Sequence, residues 1–108
     1  MARERFRTLT EQMFYTLLCL REERWGMDIL DRVPEITGGR VQIGSGTLYT
    51  LLEQFLAEGM IAETQVQGRR RSYLITEKGK AMLEAEVRRL EAQLRDYRLY
   101  SGKENMVC

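Results

Sequence analysis

The chain has 108 residues, a formal net charge of +1, 44% hydrophobic and 31% charged residues, the make-up of one globular domain with a modest core. No apolar run is long enough for a membrane span, and "MARERFRTLTEQ" lacks the apolar stretch of a secretory signal, so a cytoplasmic protein is expected. Histidine is absent and there are two cysteines, Cys19 and Cys108. These counts exclude a Ser-His-Asp or Cys-His nucleophile and the usual zinc sites.

Cys19 lies inside "MFYTLLCL", where a free thiol behaves as a small buried hydrophobe, and Cys108 ends the chain; a disulfide between them is not expected in a reducing compartment. "GGRVQIGSG" has glycines but neither the lysine nor the spacing of a phosphate loop. The expectation is a protein that is not an enzyme and holds no metal or cofactor.

In chain order, the spacing predicts a first helix from Thr10 to Glu23, with Thr10 as N-cap and Glu11 in the first turn. Leu9, Met13, Leu17 and Leu20 form one apolar row and Phe14 and Leu18 a second, wider than one face of a small core needs. Such a helix either packs on a partner with its spare side or is fully buried. A second helix follows Trp25-Gly26, with Ile29, Leu30, Val33 and Ile36 at helical spacing. Pro34 is expected to stop or bend it near Arg32 or Val33. After "TGGRVQIGSG", Ser45 or Gly46 opens a third helix, closed by Gly59.

The period then changes. "MIAETQV" and "RSYLIT" flank Gln67-Gly68 and read as a hairpin, with Tyr73 and Ile75 on one face. Thr76 and Glu77 start a last helix reaching about Tyr100. In it Leu83, Val87, Leu90, Leu94 and Tyr97 follow the 4-3-4-3 spacing of a coiled-coil seam. The fold class expected is mainly α with a small β-hairpin: a winged helix-turn-helix over residues 1–76, a dimerisation helix over 77–100 and a tail over 101–108.

Several stretches together resemble the PadR family of bacterial transcriptional regulators, of the short kind with a single long C-terminal helix. They are Gly38-Gly39-Arg40-Val41, Gly46-Thr47-Leu48-Tyr49, Glu58-Gly59-Met60-Ile61, Gly68 to Arg71, and Tyr73 to Gly79. The resemblance spans roughly Thr10 to Leu90. It departs from the family pattern at Trp25-Gly26-Met27, at Pro34, and at Thr50, Glu53 and Gln54, where relatives usually carry basic residues. What it implies is a dimeric, sequence-specific regulator of transcription, a repressor at an operator of inverted half-sites, released by a small aromatic or amphipathic effector.

At about 100° per residue, Leu48, Leu51, Leu52, Phe55 and Leu56 fall on the core side of the third helix. Thr47, Thr50, Glu53, Gln54 and Ala57 take the other side. A recognition helix reads bases with its outer face, so Ser45, Thr47, Tyr49, Thr50 and Gln54 are candidate DNA contacts; a solvated polar face is the plainer reading. Arg69, Arg70 and Arg71 at the hairpin tip are candidate phosphate contacts, because a guanidinium offers forked donors. Strand alternation is expected to send two of them to phosphates and one to brace the hairpin. Arg40 is a further phosphate candidate, and Arg3, Arg5 and Arg7 form either a basic arm or a non-contacting start.

Met13, Leu17, Leu83, Val87, Leu90, Leu94 and Tyr97 are the candidate dimer contacts, unless the seam folds back on its own domain. Phe6, Met13, Phe14, Leu94 and Tyr97 are the candidates for an effector pocket, with plain dimer core as the alternative. The expected partners are double-stranded DNA, a second copy of the chain and a small effector. The competing reading is a winged-helix protein–protein interaction module that binds no operator, favoured by Glu53 and by the lack of lysine on the third helix.

Overall fold

In the computed structural model, residues 8–107 are described, with side chains over residues 8–101. Arg3, Arg5, Phe6, Arg7 and Cys108 lie outside the described residues. The elements are α1 (Glu11–Cys19), β1 (Arg24–Trp25), α2 (Gly26–Thr37), α3 (Ser45–Ala57), β2 (Ile61–Gln67), β3 (Arg70–Ile75) and α4 (Glu77–Val107). The three strands form an antiparallel sheet in the order β1-β3-β2.

Thr10 caps α1 as expected, its hydroxyl accepting from the Met13 N–H at 3.1 Å. The helix ends at Cys19, four residues short of the predicted Glu23. The reason is tertiary. The Leu20 carbonyl accepts from the Ile75 N–H of β3 at 2.8 Å, and the Cys19 carbonyl accepts from Arg24 Nε at 2.9 Å. The chain then adds Arg24–Trp25 to the sheet as a third strand, opposite Tyr73 and Ser72, which periodicity did not predict.

Pro34 does not stop α2, which runs on to Thr37. Its missing N–H costs the helix a bond, and Thr37 strengthens the turn that follows. The Thr37 hydroxyl donates to the Val33 carbonyl at 2.9 Å and accepts from the Val41 N–H at 3.0 Å. The helix closes at Gly38, where φ is +62° and the Pro34 carbonyl collects the last N–H groups. A left-handed residue at this place is the common helix stop, and glycine takes it without a Cβ clash.

Leu48, Leu51, Leu52 and Phe55 of α3 are buried, together with Leu17, Leu20, Ile29, Val33 and Met60. Leu56, assigned to the same side, is instead 37% exposed and lines a surface hollow. On the hairpin Tyr73 and Ile75 are both buried, as their shared face requires. Leu17 and Leu83, expected at a dimer contact, are 0% and 5% exposed and belong to the chain's own core. The first turns of α4 pack against α1 and β3, which buries nearly all of Leu83.

Thr76 starts α4: its hydroxyl accepts from the Gly79 N–H at 3.2 Å and donates to the Gly59 carbonyl at 2.6 Å. The helix continues through Gly102 to Val107 rather than ending near Tyr100, since one internal glycine costs a helix only about 1 kcal/mol. Exposure rises along the seam, from 37% at Val87 through 42% at Leu90 and 48% at Leu94 to 66% at Tyr97. Among these residues Glu86 is buried, an acid on the inner side of the helix. It accepts from the Leu9 N–H at 3.2 Å and from Arg89 Nε at 3.1 Å.

A Cβ on Gly79 would overlap the Met60 carbonyl oxygen and stand 2.7 Å from Ile75 Cγ1, and that carbonyl is pinned by the Thr76 N–H at 2.9 Å. Gly79→Ala is expected to cost about 1–3 kcal/mol, read as a lower midpoint in urea with an unchanged m-value. The Arg89 hydrogen bond, with help from the Leu9 N–H and against the cost of burial, holds the Glu86 carboxyl below its ordinary value of 4.5. A depressed carboxylate pKa stabilises the fold above that value and loses its effect as pH falls through the folded one. Glu86→Gln is therefore expected to lower Tm by several degrees at pH 7 and to flatten the loss of Tm below about pH 4.5; equal acid limbs in the two proteins would contradict it.

Candidate nucleic-acid interface

Two elements present the predicted contacts. The outer face of α3 is polar, with Ser45, Thr47, Tyr49, Thr50 and Glu53 exposed and Gln54 half-buried. Its orientation is fixed from beneath. A Cβ on Gly26 would lie 3.4 Å from Leu52, 3.5 Å from Tyr73 and 3.6 Å from Tyr49, so the start of α2 sits tightly against both α3 and β3. Packing at van der Waals distance leaves α3 little freedom to roll.

The hairpin tip is the second element. β2 and β3 are joined by Gly68-Arg69, with Gln67 opposite Arg70 and Val66 opposite Arg71. A bulge between Glu63 and Gln65 then shifts the ladder, so that Glu63, not Thr64, faces Tyr73. Cross-strand partners lie on the same side of a sheet, and successive residues on opposite sides. Arg71, Tyr73, Val66 and Glu63 therefore share the side turned towards α3. Arg70, Ser72 and Gln65 share the other, where β1 supplies Trp25.

The arginines divide accordingly. Arg70 stacks on the Trp25 ring, 4.2 Å from its centroid, a cation–π contact. Arg71 pairs with Glu63, Nη1 to Oε2, at 2.5 Å. Their hydrogen bond, then their opposite charges, raises the Arg71 pKa above its ordinary value, so the guanidinium keeps its charge throughout the working range. Arg69 lies in the exposed turn. Alternation operates as expected, but two arginines rather than one are tied within the chain.

Tyr49, Glu53, Glu63, Arg69, Arg71 and Tyr73 border one hollow of about 380 Å³ between α3 and the hairpin. The hollow joins the two candidate contact surfaces into one. Burial, followed by the Glu63 charge, raises the Tyr73 pKa, with smaller contributions from Tyr49 and Glu53; its phenol stays neutral at the floor. Behind the hairpin the Glu23 carboxylate accepts from Gln65 Nε2 at 3.1 Å and from Ser72 Oγ at 3.4 Å. Hydrogen bonds from Thr64 first, then Gln65 and Ser72, keep its pKa below the usual value.

Arg40, the further phosphate candidate, donates to Glu11 Oε2 and to the Tyr15 hydroxyl, each at 3.1 Å. It ties the segment before α3 to α1 and is still 57% exposed. Of the effector candidates among the described residues, Phe14 lines a hollow of about 110 Å³ with Leu18, Leu83 and Val87, whereas Leu94 lines a separate open groove with Glu91, Arg95 and Leu99. Three residues of the surface escaped the sequence reading: Glu23, Trp25 and Glu63. Counting back from the turn would have found Glu63 only if the bulge had been legible.

Among the described residues no helix is long and apolar enough to cross a membrane, and no group of three or more potential metal ligands is present. Residues 16–85, more than half of the chain, match the model of the "Transcriptional regulator PadR-like family". No curated protein matches the chain. A transcriptional regulator from Clostridium thermocellum superposes with a TM-score of 0.71 at 18% identity, over 83% of this chain and 91% of that one. A PadR family regulator from Eggerthella lenta gives 0.61 at 24% identity, over 88% and 80%. RosR of H. salinarum gives 0.62 at 25% identity, over 92% and 90%. The family's members regulate transcription and are not enzymes, and the architecture described above is their winged-helix fold. The chain belongs to the PadR-like family of transcriptional regulators.

Proposed function

We infer that the protein is a homodimeric repressor that binds an operator of inverted half-sites in the cytoplasm, with residues 1–76 as the reading head and α4 as the dimerisation helix. The observation that carries this reading is the meeting of the polar outer face of α3 with Arg69 and Arg71 across one hollow. A helix in the major groove reads bases from its outer face, and Gln54, Ser45, Thr47 and Thr50 carry donors and acceptors for it. The hairpin beside it meets the neighbouring backbone, where arginine suits phosphate. Tyr49 stands at the flank of the helix, 40% exposed, within reach of the same backbone.

The family implies DNA binding, and the near-neutral chain makes two copies on two half-sites the economical arrangement. With Leu17 and Leu83 in the core, the dimer contact reduces to Val87, Leu90, Leu94 and Tyr97, joined by half-buried Met13. Their rising exposure along α4 supports a partner that covers the far part of the helix. A second copy would also bring the effector candidates Met13, Phe14, Leu94 and Tyr97 closer together than one chain does. The competing reading, an interaction module without operator binding, draws on Glu53 and on the internal pairing of Arg70 and Arg71.

Fluorescence anisotropy with the region upstream of the protein's own gene tests the DNA reading. Arg69→Ala is expected to make the plot of log K against log salt shallower by about 0.9, one phosphate contact, while Arg70→Ala leaves that slope nearly unchanged. Absence of binding to this and to random duplex at low salt would instead favour the interaction module. For the dimer, light scattering on the full chain is expected to give twice the chain mass, and Leu94→Glu to weaken association by more than tenfold. A monomeric wild type at micromolar concentration would remove α4 as the dimerisation helix.

A further inference from the structure

The ion pair between Arg71 and Glu63 lies inside the surface offered to DNA. The bulge puts Glu63 on the α3 side of the hairpin, where its carboxylate takes the Arg71 guanidinium at 2.5 Å. Both groups border the hollow that also holds Arg69 and Glu53. The Arg71 side chain is 51% exposed and that of Glu63 31%, so the pair is open to solvent and inexpensive to separate.

A duplex lying on the outer face of α3 and on the hairpin tip carries its phosphates across this hollow. The Arg71 fork fits a phosphate as it fits a carboxylate, but it cannot fully serve both. Either the phosphate displaces Glu63, or it approaches a carboxylate already in place; both outcomes subtract from binding. Arg70 cannot stand in, because it lies on the opposite side of β3 over Trp25. Glu53 lies at the edge of the same hollow, but among the described residues the carboxylate paired with Arg71 is that of Glu63.

We propose that Glu63 is a built-in competitor for the DNA phosphate at Arg71, and thereby a residue that sets how strongly this regulator holds DNA of any sequence. The proposal rests on the DNA-binding reading above. Glu63 is a positioning residue: it acts through the arginine and touches no base. Because phosphate contacts carry no sequence information, its effect is expected to be equal on operator and random duplex. It leaves the discrimination between them unchanged.

The test is a double-mutant cycle on the full-length protein, Glu63→Gln and Arg71→Ala alone and together, with anisotropy on operator and random duplex across a salt series. Glu63→Gln is expected to tighten binding about two- to fivefold on both duplexes, the scale of one exposed ion pair. It is also expected to steepen the salt slope by about 0.9. In the Arg71→Ala background the same change is expected to do nothing, the non-additivity of two residues acting as a unit. Thermal unfolding of each variant checks that the hairpin remains folded. Binding by Glu63→Gln no tighter than wild type overturns the proposal. An equal gain with Arg71 already removed also overturns it, since Glu63 would then act by plain repulsion. Failure of wild type and Glu63→Gln alike to bind any duplex is a different result: it removes the DNA-binding reading itself, and this proposal with it.

Discussion

Strand β3 is the constraint on which the rest of this fold depends. It is the central strand of the sheet, paired with β1 on one edge and β2 on the other. Its Ile75 N–H also takes the Leu20 carbonyl at the end of α1, and the next residue, Thr76, is fastened to the Met60 and Gly59 carbonyls. Six residues therefore fix where α1 stops, where α2 starts, how the hairpin leans and where α4 departs. Buried backbone groups must be paired, and here that requirement connects elements distant in sequence. Tyr73 and Ile75 add the apolar floor over which α2 and α3 close.

The polar surface of the molecule is governed by a second constraint, the economy of charge. Several of the described arginines are held within the chain. Arg40 is held by Glu11 and Tyr15, Arg70 by Trp25, Arg71 by Glu63 and Arg24 by Glu22 and the Cys19 carbonyl. The ion pairs of Arg40 and Arg71 are weak because they are exposed. Together they place the cations in defined positions without building a strong positive field, consistent with a net charge of +1. Attraction of an anion to such a protein depends on where its cations stand, because its total charge supplies little long-range attraction.

How far the sequence revealed this depends on whether a feature is local. The Thr10 cap, the hairpin about Gly68, the Thr76 start of α4 and the buried row of α3 follow from neighbours a few residues apart, and they were legible. The stop of α1 at Cys19 was not, because a strand more than 50 residues later in the chain claims the Leu20 carbonyl. Pro34 misled for a related reason: the position of Gly38 and the bonds of Thr37 decide where α2 ends. Leu17 and Leu83 carry the spacing of a seam, yet periodicity cannot tell one's own core from a partner. Of the site, residue types on α3 and at the tip were legible; the partition of the arginines was not, since it turns on one bulged residue, Thr64, that reverses which side of the sheet Glu63 occupies.

Trp25 is the only tryptophan in the chain, and the guanidinium of Arg70 rests on its face. An indole's emission depends on the charge and polarity around its ring, and here a cation from the tip of the hairpin lies over a ring that belongs to β1, just before α2. The molecule thus carries its own optical gauge of how the hairpin is seated on the helix-turn-helix, readable without a dye or a label.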